Sequence, residues 1–267
     1  DKYHPDLLYF DDSELPFGQT GLDIAAHYYN AASQWSGGKP QVVLNSKKLI
    51  AAHRPAMVED YERGFSDKIE PLPWQTDTCI GNWHYDRSVF EQHKYKTVPQ
   101  VAAMLVNIVS KNGNLLLNIP VKGDGTIDSD EVQFLHGLAA WMDVNAEGIF
   151  GTRPWKVSGE GPAKVAGGMF NENKIHYGAQ DIRFTTKAGA LYAYFLGWPA
   201  DRQVTIHTLK AAAAGETALL DRKIVDLRLL GSSAKLAWTQ DGEGLHVTLP
   251  EGVTPPAGPG CVRLTLE

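Results

Sequence analysis

The sequence predicts a chain that is α/β up to about residue 155, with parallel strands joined by crossover helices, and an antiparallel β-sandwich over 156–267. Three observations predict this. Short apolar runs alternate with helical stretches before Pro154, which is the pattern of βαβ units. Helical stretches in that part close on glycine or open on a capping box, the usual stop and start signals. After Pro154, seven short alternating segments follow one another between glycine, proline or acidic turns, as sandwich strands do.

Taken in order, LLYF at 7–10 and VVL at 42–44 read as buried strands. Between them LDIAAHYYNAASQW reads as a helix closed by Gly37 and Gly38. VPQVAAMLVNIVSKNG at 98–113 reads as an apolar helix with Gly113 in the C-cap position, feeding the strand NLLLNIPV at 114–121. Asp128 stands three residues before Glu131, a capping box. It opens a helix whose apolar positions Val132, Leu135, Leu138, Ala139 and Met142 share one face, and which stops by Gly148 or Gly151. The later segments IRFTT, ALYAYFLGW, QVTIHTL, IVDLRLLG, KLAWTQ, LHVTLP and CVRLTLE are the sandwich strands, with Trp198 and Trp238 at least partly buried there. KAAAAGE at 210–216 is too short for a stable helix and reads as a loop.

Composition narrows the class. A chain of 267 residues with 43% hydrophobic content can bury a substantial core. The net charge of −6 and a pI near 5.8 leave no basic patch able to hold a phosphate backbone, so nucleic acid is excluded as a partner on charge. No apolar run approaches the roughly 18 residues that cross a bilayer, and DKYHPDLLYF carries no signal-peptide pattern. Cys79 and Cys261 lie far apart and show no metal-ligand spacing, so two separate thiols and no metal are expected.

Four segments then resemble glycoside hydrolase family 29, the α-L-fucosidases: PDLLYFDD at 5–12, PWQTDTCIGNWHY at 73–85, SKNGNLLLNIPVKGDGTI at 110–127 and AEGIFGTRPW at 146–155. LYAYFLGWP at 191–199 and LLGSSAKLAW at 229–238 resemble the sandwich that follows the barrel in that family. The resemblance implies that residues 1–155 are the C-terminal part of a (β/α)8-like (TIM) barrel and 156–267 its β-sandwich. The family's first barrel strands lie upstream of the one resembling LLYFDD. About five can be counted here, too few to close a barrel of eight. An incomplete barrel leaves an unpaired edge, so the missing half is an expected partner, in the same or another chain. The family also implies an extracytoplasmic location.

The implied activity is retaining exo-hydrolysis of terminal α-L-fucosides without a cofactor, which needs one ionised carboxylate as nucleophile and one protonated carboxyl as acid/base. Asp11 ends the buried run LLYF, where a parallel barrel strand delivers its side chain to the catalytic face. The resemblance matches it to the nucleophile, with Tyr9 where Trp is usual and Asp12 where Gly is usual. On spacing alone, Asp11 or Asp12 could equally cap the following loop. For the acid/base, Glu59, Asp60, Glu62, Asp67 and Glu70 all fall in the matching loop. Glu62 is the choice and Glu70 the runner-up, while Gln75, standing where many relatives have Glu, has no proton of useful pKa. For the sugar, Trp83 matches the aromatic that meets the C5 methyl. Trp74 shapes or supports the pocket wall, Lys47 and Arg54 are possible donors, and Asn118 sits at the mouth of the last strand. A lysine is a point donor and does not reproduce a bidentate arginine. His84 is expected to point elsewhere. Two other readings stay open: a non-catalytic carbohydrate-binding protein, and a fragment inactive without its other half.

Overall fold

The apolar runs of the first part line up as one parallel sheet. The structure, a computed structural model, describes residues 2–11, 18–213, 215 and 217–267; Asp12 and parts of KAAAAGE lie outside them. Strands β1 (Leu7–Phe10), β2 (Val43–Lys47), β3 (Val58–Asp60), β4 (Trp74–Cys79) and β5 (Gly113–Asn118) stand side by side in chain order. Every neighbouring pair is parallel, so each return needs a crossover. Helix α1 (Gln19–Trp35) supplies the first. The short α2 (Arg87–Glu91) and α3 (Val98–Val109) supply the last. The result is an open half-barrel with β1 and β5 at its outer edges.

Helix α4 (Ser129–Asn145) starts as its sequence predicts: the Asp128 side chain accepts from the Asp130 and Glu131 amides, and Glu131 accepts from the Asp128 amide. Its buried face differs from the predicted one. Phe134, Trp141 and Asn145 point inward while Val132 and Ala139 are exposed, because the two large aromatics seven residues apart outweigh the smaller apolar stripe. Gly113 is also not a helix cap. α3 ends at Val109 with Ser110 as cap, and Gly113 opens β5, where an added Cβ would lie 2.5 Å from the Trp74 ring.

The second part folds as predicted into two antiparallel sheets. Strands β6 (Arg153–Glu160), β7 (Ile182–Lys187), β8 (Ala190–Phe195), β10 (Ile224–Leu229) and β13 (Gly260–Leu266) form one sheet in the order β10-β13-β8-β7-β6. The other has β9 (Gln203–Ile206), β11 (Ala237–Gln240) and β12 (Leu245–Thr248) in the order β11-β12-β9. Phe184, Leu191, Phe195, Ile206, Val247 and Leu264 fill the space between, with Trp198 and Trp238 packed against them. β6 was not legible as a strand because Pro154 lies in it. It is an edge strand, where a missing amide costs no internal ladder bond.

The two parts share a core. Ala102 and Val106 of α3 and Trp141 of α4 pack against Tyr192, Tyr194 and Cys261 of the sandwich. Polar contacts tie the same seam: Trp141 Nε1 donates to the Pro259 carbonyl (2.9 Å), Tyr194 to the Asn145 carbonyl (2.8 Å) and Arg183 Nε to Asn107 Oδ1 (2.9 Å). Cys79 and Cys261 are buried free thiols. Among the described residues no helix is long and apolar enough to cross a membrane. Gly113→Ala should destabilise the fold by about 1–3 kcal/mol through overpacking against Trp74, read as a lower urea midpoint; an unchanged midpoint would contradict the packing described.

Candidate active site

Parallel strands bring their C-terminal ends to one edge of a sheet, and residues just beyond those ends meet there. Phe10 pairs with Ser46, and Lys47 with Asp60. Asp11 therefore emerges beside Lys47, the last residue of β2, and Glu62 follows two residues after β3. The Lys47 ammonium lies 2.6 Å from Asp11 Oδ1, 2.8 Å from Glu62 Oε2 and 3.3 Å from Asp77 Oδ2. Its side chain is only 3% exposed. Burial alone would lower its pKa, but hydrogen bonds to Asp11 and Glu62 and the Asp77 charge raise it, so the ammonium stays charged. The ammonium donates hydrogen bonds to Asp11 and Glu62 and forms an ion pair with Asp77. Because Asp11 and Glu62 both touch one nitrogen, their two contacting oxygens are no farther apart than the sum of those two contacts.

A second polar layer lies beneath. Tyr9 Oη is 2.9 Å from Asp60 Oδ2 and 3.2 Å from Asp77 Oδ2, one hydroxyl proton between two carboxyls. Gln75 Nε2 donates to Asp60 Oδ1 at 2.8 Å. Burial, then the neighbouring Asp77 charge, pushes the Asp60 pKa up to about 7. Burial and the same two carboxyls raise that of Tyr9 as well. Asp77 was missed in the sequence. The signal was present: in a strand WQTDTC, residues 75 and 77 share the inward face by the two-residue alternation.

Tyr9, Asp11, Lys47, Glu62 and Asp77 line a cavity of about 800 Å³ together with Trp83, His84, Leu116, Leu117, Asn118 and Ile119. Asn118 Nδ2 donates to the Trp83 carbonyl at 3.2 Å and so fixes the loop that carries the indole. His84 lines this cavity, contrary to the expectation that it points elsewhere.

Three predicted site residues are elsewhere. Trp74 is fully buried on the outer face of β4, donating to the Lys111 carbonyl at 2.8 Å and meeting Tyr61 edge-on; alternation gives the inward position to its neighbour Gln75. Arg54 pairs with Glu59 at 3.3 Å and stands 3.9 Å from Glu70. Glu70 bonds Ser66 Oγ at 2.8 Å and precedes the start of β4, which puts it at the edge opposite Asp11. Neither Arg54 nor Glu70 lines the cavity.

The family model for α-L-fucosidase matches residues 1–147, more than half of the chain. The chain belongs to the α-L-fucosidase family. A further model, the α-L-fucosidase C-terminal domain, matches residues 177–265. Tissue α-L-fucosidase of Rattus norvegicus is 28% identical over 274 residues, covering 99% of this chain and 53% of the relative. The Homo sapiens tissue enzyme is 25% identical, covering 100% and 52%. A solved α-L-fucosidase superposes with a TM-score of 0.73 at 25% identity over 99% of this chain and 53% of the other. The Thermotoga maritima α-fucosidase shares the fold with a TM-score of 0.70 at 24% identity, covering 98% and 53%. The chain spans about half the length of the curated relatives it matches.

Asp60 contributes one part of the pH dependence of stability. Its folded-state pKa of about 7 lies above the ordinary 3.8, so the folded form holds a proton that the unfolded chain releases between those values. The stabilisation is complete below about pH 4 and is lost as pH rises to 7. Asp60→Asn should flatten the fall of the urea midpoint across that window; an unaltered slope would contradict the assignment.

Proposed function

We propose that this chain is the C-terminal part of a retaining exo-α-L-fucosidase that removes terminal α-linked L-fucose by double displacement. The observation that carries the reading is the contact of Asp11 and Glu62 with the single Lys47 ammonium. Asp11 attacks the anomeric carbon while Glu62 delivers its proton to the departing glycosidic oxygen. The C–O bond breaks and a β-linked fucosyl ester forms on Asp11. Glu62, now ionised, takes a proton from water; the water attacks the anomeric carbon, releases α-fucose and returns Asp11 as carboxylate. Lys47 holds Asp11 and Glu62 at one point, with Asp77 as its third acidic neighbour. No cofactor enters this scheme.

L-Fucose carries a methyl where a hexose such as galactose carries a hydroxymethyl, and Trp83 with Leu116 offers it an apolar wall. The remaining hydroxyl contacts belong to the other half of the barrel, which would pair with the free edges of β1 and β5, in the same polypeptide or another. Residues 1–155 are the barrel part in this reading and 156–267 the sandwich. An extracytoplasmic location goes with the same reading.

In the intact enzyme, Asp11→Ala should abolish turnover of every α-fucoside. Glu62→Ala should slow natural fucosides by about 10²–10⁴-fold, yet still form the intermediate from activated aryl fucosides. Azide should then restore turnover and give α-fucosyl azide, since it attacks a β-linked ester. Any azide product from Asp11→Ala should be the β-anomer. Interchanged anomers would reverse the two roles, and binding of fucosides without turnover by the unsubstituted enzyme would favour a carbohydrate-binding protein instead.

A further inference from the structure

Glu62 lies on a loop, and its carboxyl reaches Lys47 only while the backbone at 61–65 is fixed. The restraint comes from far along the chain. The Phe170 amide donates to the Glu62 carbonyl (2.9 Å), and the Asn171 and Glu172 amides both donate to the Arg63 carbonyl (3.0 and 3.1 Å). Phe65 and Gly168 exchange amide–carbonyl bonds at 3.1 and 2.9 Å. The two segments approach so closely that a Cβ on Gly64 would stand 1.9 Å from the Gly168 carbonyl oxygen. Between them Arg63 holds a φ of +47°, a left-handed conformation that a side-chain-bearing residue keeps only when its surroundings impose it.

The Glu172 side chain adds to these backbone bonds. Its Oε1 accepts from Arg63 Nε at 2.8 Å and lies 3.0 Å from Lys96 Nζ, and its Oε2 accepts from Thr78 Oγ1 at 2.6 Å. The side chain is 2% exposed. Burial would raise its pKa, but the Thr78 bond together with Lys96 and Arg63 hold it below the usual carboxylate value. One buried anion thus joins the loop of Glu62, through Arg63, to β4, through Thr78, and to the start of α3, through Lys96. The Arg63 amide closes the circuit by donating to the Asp77 carbonyl at 2.9 Å.

We propose that Glu172 is a positioning residue for the acid/base step. By clamping Arg63 against β4 it keeps the Glu62 carboxyl facing Asp11 across Lys47. The inference rests on the reading of Glu62 given above. Glu172 itself touches neither that carboxyl nor Asp11. It follows β6 in the chain, so the acid/base of the barrel is held by a segment that belongs to the sandwich side.

The test uses the intact enzyme with Glu172→Gln, which keeps shape and removes the charge. Fucosides with poor leaving groups should lose about a hundredfold in kcat/KM, the scale of general-acid catalysis. α-Fucosyl fluoride, whose leaving group needs little protonation, should stay within about threefold. Azide should speed turnover of an activated aryl fucoside and give the α-azide, and Glu172→Asp should recover part of the loss. Equal losses on both substrates in a variant with an intact thermal transition, or no loss on either, would overturn the proposal. If Glu172→Gln does not fold, Arg63→Gln tests the same link from its more exposed end with the same two outcomes. Glu62→Ala measured alongside separates the claims. If it shows the leaving-group dependence and Glu172→Gln does not, the positioning role alone fails; if Glu62→Ala does not show it, the assignment of Glu62 fails and this proposal with it.

Discussion

The Lys47 ammonium is the contact on which the site depends. It sits 3% exposed among Asp11, Glu62 and Asp77, which come from the ends or interior of different strands. Without a cation between them, three carboxylates gathered this closely would repel one another. With it, the charge cost of gathering them is offset. Three single contacts suit an ammonium better than the planar fork of an arginine, so a lysine at this position is consistent with a site where the third acid, Asp77, has also been brought in. Asp60 beneath adds little further negative charge in acidic solution, because burial and Asp77 push its pKa up to about 7.

The parallel sheet explains why these groups share one edge, and the sandwich explains why the edge is stable. α3 and α4 cover the outer face and in turn lie against the sandwich through Trp141, Tyr192 and Tyr194. A sheet that is polar inside needs this outside packing, since Asn45, Lys47, Asp60, Gln75 and Asp77 are all buried and contribute little apolar area. Among the described residues the outer edges of β1 and β5 pair with no further strand. This matches a chain that spans about half the length of its curated relatives.

Much of this was legible in the sequence, and the failures have physical causes. LLYF, the capping box at Asp128 and the seven alternating segments were readable because each carries a local signal. Asp11 and Glu62 were named from resemblance, and the structure brings both to Lys47. β4 was harder, because WQTDTC is polar yet wholly buried, as happens on the inner face of a barrel. Its alternation, left unread, would have exchanged the assignments of Trp74 and Asp77. Glu70 stayed the runner-up to Glu62 in a loop count, but one lies before a parallel strand and the other after, and only the second kind reaches the edge where Asp11 and Lys47 meet. Glu172 carried no signal at all: 109 residues separate it from Arg63, and only the fold joins them.

The most direct measurement is covalent trapping. A 2-deoxy-2-fluoro-α-L-fucosyl fluoride keeps a good leaving group while the fluorine slows release of the ester, so the intact enzyme should accumulate the fucosyl adduct. Proteolysis and mass spectrometry should find the added sugar on the peptide containing Asp11, on that residue alone. A label on Glu62 or Asp77, or an enzyme that turns the substrate over without any adduct, would contradict the account.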